Sequence, residues 1–236
     1  MSSVSKLQSG AFPLFKFKGI LVSLHWSWLL VAVWAIDRAS NRYESAVWAV
    51  AEYVSLFLIV LLHEFGHAFA TRQVGGRSEY ILLWPFGGIA YVNAPHRPGA
   101  HLWSIAAGPL VNVGLAPILW LLLHYGLPAD ASKDLVKFVA TMQSINLILL
   151  IFNLLPVYPM DGGQILQALL WYPLGFAKAL LIASATGLIG GVALIGVIFY
   201  LGAGGIFTAL LGLFLLQGSW RGLQAAREML KEQPSL

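Results

Sequence analysis

Residues 46–70 are apolar for long enough to cross a bilayer as one helix, and near the end of that run stand His63, Glu64 and His67, in the order His-Glu-Phe-Gly-His. Such a run leaves a chain few choices, because in lipid its backbone groups must bond to one another and a helix does this within one segment. On a helix turning about 100° per residue, His63 and His67 point the same way within about 40°, and Glu64 lies roughly 60° from His67. Two imidazoles one turn apart are the geometry for holding a zinc ion, and a carboxylate beside them can take a proton from water at the metal. A plainer alternative makes the three residues hydrogen-bonding groups between helices.

The rest of the composition agrees with a lipid solvent: 58% of residues are hydrophobic and 10% charged, against the quarter or so of charged residues in soluble domains. The net charge of +4 reflects basic loops on one side of a membrane better than a nucleic-acid surface, so no nucleic-acid partner is expected. With no cysteine in the chain, a metal must be held by His, Asp or Glu. Met1 to Gly19 is polar and mixed, unlike a cleavable leader, so the first apolar run is expected to stay as an anchor.

Six runs read as spans: Ile20–Ile36, Ala46–Ala70, Leu102–Tyr125, Leu135–Leu155, Gly175–Tyr200 and Gly204–Arg221. Phe15–Lys18 alternates apolar and basic residues, as a short strand would, while Glu79–Trp84 and Ile89–Asn93 flank Pro85-Phe86-Gly87-Gly88 like two strands around a turn. The expected fold class is an all-α polytopic membrane protein with about six transmembrane helices and a small membrane-associated β-hairpin or sheet. Because non-helical backbone at membrane depth must be covered by protein or line a wet cavity, the hairpin can border the metal site; a simple surface hairpin is the alternative. His25, Asn112 and Asn146 read as interhelical hydrogen-bonding groups, with lining the site as the other use of His25 and no catalytic role for the two asparagines. The glycines between Gly187 and Gly205 read as a close-packing face, with a gate for an incoming helix as the other use.

The fourth run ends in Asn153-Leu-Leu-Pro156-Val-Tyr-Pro159-Met-Asp161-Gly162-Gly163. Two prolines three apart break the helix. Asp161 reads as the other carboxylate set deep among apolar residues away from the loops, and a third ligand is what two histidines still lack. Its alternative role is to cap the next helix. Asn153 offers an amide that can hold a substrate carbonyl or an oxyanion.

Taken together, His63–His67, Asn153–Gly163, the Trp84–Gly88 turn and the Ala106–Asn112 opening of the third run resemble the site-2 protease family of intramembrane zinc metalloproteases, peptidase family M50. The resemblance covers most of Leu14 to Leu170. It implies one zinc per chain on His63, His67 and Asp161, Glu64 as general base, Asn153 as a polar contributor in the cleft, and transmembrane proteins as substrates. On this reading residues 1–236 form one domain, core 14–170 with accessory spans 175–221. The 93 positions between His67 and Asp161 leave no room for an inserted PDZ domain, and the tail after Trp220 holds no CBS domain.

Substrate helices must open before cleavage, since their carbonyls are already hydrogen-bonded, so helix-weakening residues are expected near the cut. The competing function is a non-hydrolytic zinc carrier or receptor on the same ligands, which would not need Glu64; a membrane protease of the CAAX-processing kind would use a glutamate where Asp161 stands. With six spans, ten Lys and Arg fall on one side and Arg38, Arg42, Lys133 and Lys137 on the other. The positive-inside rule then puts both termini and the metal-binding segments toward the cytoplasm.

Overall fold

A computed structural model of the protein describes residues 10–84, 87–202 and 205–232. Their order is β1 (Ala11–Phe17), β2 (Ile20–His25), α1 (Ser27–Ser40), α2 (Ala46–Gln73), β3 (Arg77–Trp84), β4 (Gly87–Asn93), α3 (Pro98–Leu121, running on through a π turn at Leu122–Gly126), α4 (Lys133–Leu154), α5 (Asp161–Leu174), α6 (Phe176–Tyr200) and α7 (Ile206–Glu232). Two compact units divide them, the first running to Ala94 and taking up Ala107–Leu150, the second made of Pro95–Ala106 and everything from Ile151 onward.

In the first unit the strands form one sheet in the order β1-β2-β3-β4. Lys18 and Gly19, both at positive φ (45° and 79°), make the two-residue turn whose twist suits a β-hairpin, and Gly19 takes that conformation without a Cβ penalty. Pro13 and a bulge between Pro13 and Phe15 interrupt the outer strand, features that blunt an edge against pairing. β3 and β4 pair as the expected hairpin; Pro85 and Phe86 of its turn lie outside the described residues. Between the hairpins, β2 runs parallel to β3, Leu21 opposite Tyr80, and α1 with α2 forms the crossover that a parallel pair requires.

The sheet lies on one face of α2: Ile20, Val22, Ile81 and Leu83 pack with Trp28, Val60, Leu61, Phe65 and Ala68 in one buried cluster. Ser45 caps α2 by accepting from the Val47 N–H, while the Asp134 carboxylate takes the Glu44 and Ser45 N–H groups, so the chain is pinned where the helix begins. At the other end Gly75, at φ 88°, closes the helix and turns the chain into β3.

Four helices among the described residues are long and apolar enough to cross a membrane: Ala46–Gln73, Pro98–Gly126, Lys133–Leu154 and Phe176–Tyr200. Six helices were expected. The run Ile20–Ile36 is divided between β2 and the 14-residue α1, which at 1.5 Å per residue is only about 21 Å long against a hydrocarbon core of about 30 Å. Ile20 and Val22 are fully buried between neighbouring strands and α2, an environment that favours β-branched side chains over continuing a helix.

In the second unit the chain leaves α4 at Leu154 and re-enters a helix at Asp161. Glycines on three helices hold this connection: a Cβ on Gly163 or Gly187 would collide with the Tyr158 backbone, and one on Gly218 with the Pro159 ring. Ser219 Oγ donates to the Tyr158 carbonyl at 2.5 Å and Gln164 Nε2 to the Pro159 carbonyl at 2.9 Å. The glycine at position 187 thus serves close packing. Ala203 and Gly204, near the end of the glycine-rich stretch, fall outside the described residues.

Candidate metal centre

His63, Glu64 and His67 are all buried on α2. The face of α2 opposite the sheet meets α3, where small residues let the backbones approach. A Cβ on Gly66 would lie 2.6 Å from the Ala107 carbonyl oxygen. One on Gly108 would lie 2.8 Å from His63 Nε2 and closer still to the His67 ring. Gly108 therefore makes the space in which the two imidazoles meet, and it does so by having no side chain.

His63 Nε2 and His67 Nε2 stand 3.1 Å apart, with the rings nearly perpendicular at 83°. Two nitrogens bound to one tetrahedral zinc at 2.0–2.1 Å are separated by about 3.3 Å. The pair fits a single zinc ion.

A chain of buried amides fixes which nitrogen of His63 can bind. Asn146 Nδ2 donates to the Asn112 backbone carbonyl at 2.9 Å, which can only accept, so Asn146 Oδ1 is the acceptor for Asn112 Nδ2 at 2.8 Å. Asn112 Oδ1 then faces His63 Nδ1 at 2.6 Å and must receive a proton from it. With Nδ1 protonated, neutral His63 carries its lone pair on Nε2, toward His67. Such an outer partner sets both the tautomer and the ring angle of a metal-binding histidine. Both asparagines are fully buried.

The expectation of an interhelical hydrogen bond was right for Asn112 and Asn146, but it missed their link to His63. The available signal was spacing: Asn112 follows Gly108 by four residues, so an amide sits one helical turn beyond the glycine that makes room for the rings.

Asp161 and Asn153 belong to the second unit. Asn153 lies half-buried in the last turn of α4, and Asp161 is the first residue of α5. The cap position of α5 is Met160, without a side-chain cap bond, so Asp161 is not the capping residue that the sequence offered as its alternative role. Its carboxylate in the first turn is favoured by the helix dipole. His25 ends β2, where Nδ1 lies 2.5 Å from Ser27 Oγ, a local bond in place of one to another helix.

The sequence matches the profile of peptidase family M50 over residues 51–129 and 128–195. The chain belongs to peptidase family M50. Among the relatives of this M50 chain is a zinc metalloprotease of Methanocaldococcus jannaschii, 35% identical over 206 residues that cover 87% of this chain and 58% of that protein. Another is stage IV sporulation protein FB of Bacillus subtilis, 36% identical over 126 residues, 52% of this chain and 42% of that one. The chain spans about half the length of these curated relatives. A solved structure, a site-2 protease from Methanocaldococcus jannaschii, superposes with a TM-score of 0.65 at 30% identity, covering 90% of this chain and 95% of that chain.

Proposed function

We propose that this M50 chain is an intramembrane zinc metalloprotease that hydrolyses peptide bonds within or beside transmembrane segments of membrane-protein substrates. The observation that carries the proposal is the His63 and His67 pair, 3.1 Å apart, with the tautomer of His63 set by buried amides and the buried carboxylate of Glu64 on the same helix. His63, His67 and Asp161 hold the metal, one ion per chain. Two imidazoles leave a tetrahedral ion short of protein donors, and Asp161 heads a helix that follows a connection braced by glycines, with the cap position taken by Met160. The relatives' names as zinc metalloproteases support the choice of metal.

When bound, zinc supplies Lewis acidity, which brings the pKa of a coordinated water down to about 7. Glu64 accepts the proton of the attacking water and returns it to the leaving amine. Asn153 holds the carbonyl oxygen of the scissile bond as charge develops on it. The Asn112 and Asn146 amides keep the His63 ring at its angle throughout.

The protein crosses the membrane six times, the first crossing made by β2 and α1 together. β2 pairs with β3, beside the end of α2, whereas α1 leads back to the start of α2, about 42 Å away at 1.5 Å per residue over 28 residues. That path keeps the basic residues partitioned ten to four, with both termini and the metal-binding segments toward the cytoplasm. A reporter fused after Leu236 that worked only on the outer side would contradict it.

Glu64→Gln tests the chemistry. The variant should retain zinc, because every proposed ligand remains, and lose nearly all cleavage of a single-span substrate. Wild-type turnover would remove the protease mechanism, and loss of the metal would make Glu64 a ligand.

A further inference from the structure

Near the start of α4, and at the opposite end of α2 from the histidines, a cavity of about 360 Å³ is lined by Arg42, Tyr43, Lys137, Ala140, Thr141 and Ser144. Two cations and three hydroxyl groups make up most of this lining, which includes no carboxylate among the described residues. Glu52 stands behind the cavity, holding Arg42 Nη2 at 2.5 Å and the Tyr43 hydroxyl at 2.7 Å. That ion pair fixes the Arg42 guanidinium while engaging only part of its fork of five N–H donors. Lys137 Nζ donates to the Arg42 carbonyl at 3.1 Å, which places the ammonium at the cavity and leaves it two further protons.

The order of residues along α4 indicates what this cavity takes. Lys137, Thr141, Ser144 and Ile148 follow one another at intervals of four, three and four, so they form one stripe down the helix. Lys137 is exposed in the second turn of α4, Thr141 is half-buried, Ser144 is exposed, and Ile148 is 66% exposed. Read from the helix start toward the membrane interior, the stripe is cationic, then hydroxylic, then apolar. That is the sequence of phosphate, glycerol ester and acyl chain in a phospholipid. Lys133 and Asp134 begin α4, so the cationic end lies at headgroup depth on the side opposite the termini, where an ammonium and a guanidinium can meet a lipid phosphate directly. We infer that this cavity is a binding site for the phosphate of a glycerophospholipid whose acyl chain lies along Ile148. The inference rests on α4 crossing the membrane and is independent of the metal centre.

The test uses the full chain purified in detergent and native mass spectrometry with added dioleoyl phosphatidylglycerol. Wild type should retain one lipid more tightly than the bulk of associated lipid, and Lys137→Gln with Thr141→Val should weaken that retention about tenfold, from one lost charge contact and one lost hydroxyl contact. Zinc content at the wild-type level and a single cooperative melting transition show that the double variant is folded, with its melting temperature lowered only by the lost Lys137–Arg42 and Thr141–Tyr43 bonds. A second arm adds inorganic phosphate without lipid. Displacement or stabilisation by phosphate alone, equal to that by the lipid, would make this a general anion site and overturn the lipid assignment. Equal lipid retention by wild type and the double variant would overturn the site itself.

Discussion

Replacing Asn112 by Ala removes the acceptor of His63 Nδ1–H and the donor to Asn146 Oδ1, while the bond from Asn146 Nδ2 to the backbone carbonyl of residue 112 can persist. Two buried polar atoms then lose a partner, each at a cost of about 1–3 kcal/mol, so the metal-free protein should lose about 2–6 kcal/mol of stability. The metal effect is separate. Without the amide, His63 can protonate on Nε2 and rotate, and loss of such an outer partner weakens zinc binding by about 10–100-fold, equivalent to roughly 1.4–2.7 kcal/mol. Asn146→Ala should follow in the same direction with a smaller loss, because Asn112 Oδ1 still faces His63 but its orientation is no longer enforced. The assay is zinc affinity by chelator competition, run beside the melting temperature of metal-free protein. If Asn112→Ala melts early but binds zinc within about twofold of wild type, well short of the expected loss, the amide is structural only and the tautomer argument fails.

Three further outcomes are expected. Gly108→Ala puts a methyl group where the imidazole nitrogens meet; a displacement of about 1 Å at a catalytic group costs on the order of 10²-fold in rate, and overpacking about 1–3 kcal/mol in stability, so wild-type zinc content and cleavage would refute the close approach. Asp161→Asn should weaken zinc binding and abolish cleavage, since an amide is a poor replacement for a carboxylate ligand; full metal occupancy and activity would remove Asp161 from the site. The Tyr43 hydroxyl is pushed above its ordinary pKa of 10.0, chiefly by burial and then by its bond to Glu52. Its neutral form is thus favoured by folding, a contribution complete below about pH 10 and lost as pH rises through the higher folded value. Tyr43→Phe should lower thermal stability at neutral pH by about 1–2 kcal/mol and flatten the alkaline decline; an unchanged decline above about pH 10 would place its origin elsewhere.

What the sequence made legible was whatever local pattern dictates. The apolar run of α2, the histidine spacing on it, the hairpin around Pro85 and Phe86 and the helix break at Pro156 are each written in a short window. β2 was not, because Ile20-Leu-Val-Ser-Leu runs straight into the apolar residues of α1, and periodicity alone cannot separate a fully buried strand from a helix. The Lys18-Gly19 turn was the available cue. The role of Asn112 was hidden for another reason. A buried amide in an apolar helix is a request for a partner, and sequence does not say that the partner is the ring of His63, 49 positions earlier.

The parallel pairing of β2 with β3 also bears on how the protein is made. Leu21 meets Tyr80, so when the β1–β2 hairpin leaves the ribosome the strand that pairs with its second edge has not yet been synthesised, and an edge of unmet backbone groups has no stable place in hydrocarbon. Pairing at such sequence separation is slow to form. On the membrane-spanning reading the hairpin must therefore wait outside the lipid core until β3 emerges. Only then is the sheet-facing side of the histidine helix fully covered. A nascent chain arrested just after Gln73 would carry both histidines and still lack the β3 part of the wall on their helix and the Gly108 and Asn112 neighbours of their rings, so the ability to hold metal is expected to arise late in synthesis.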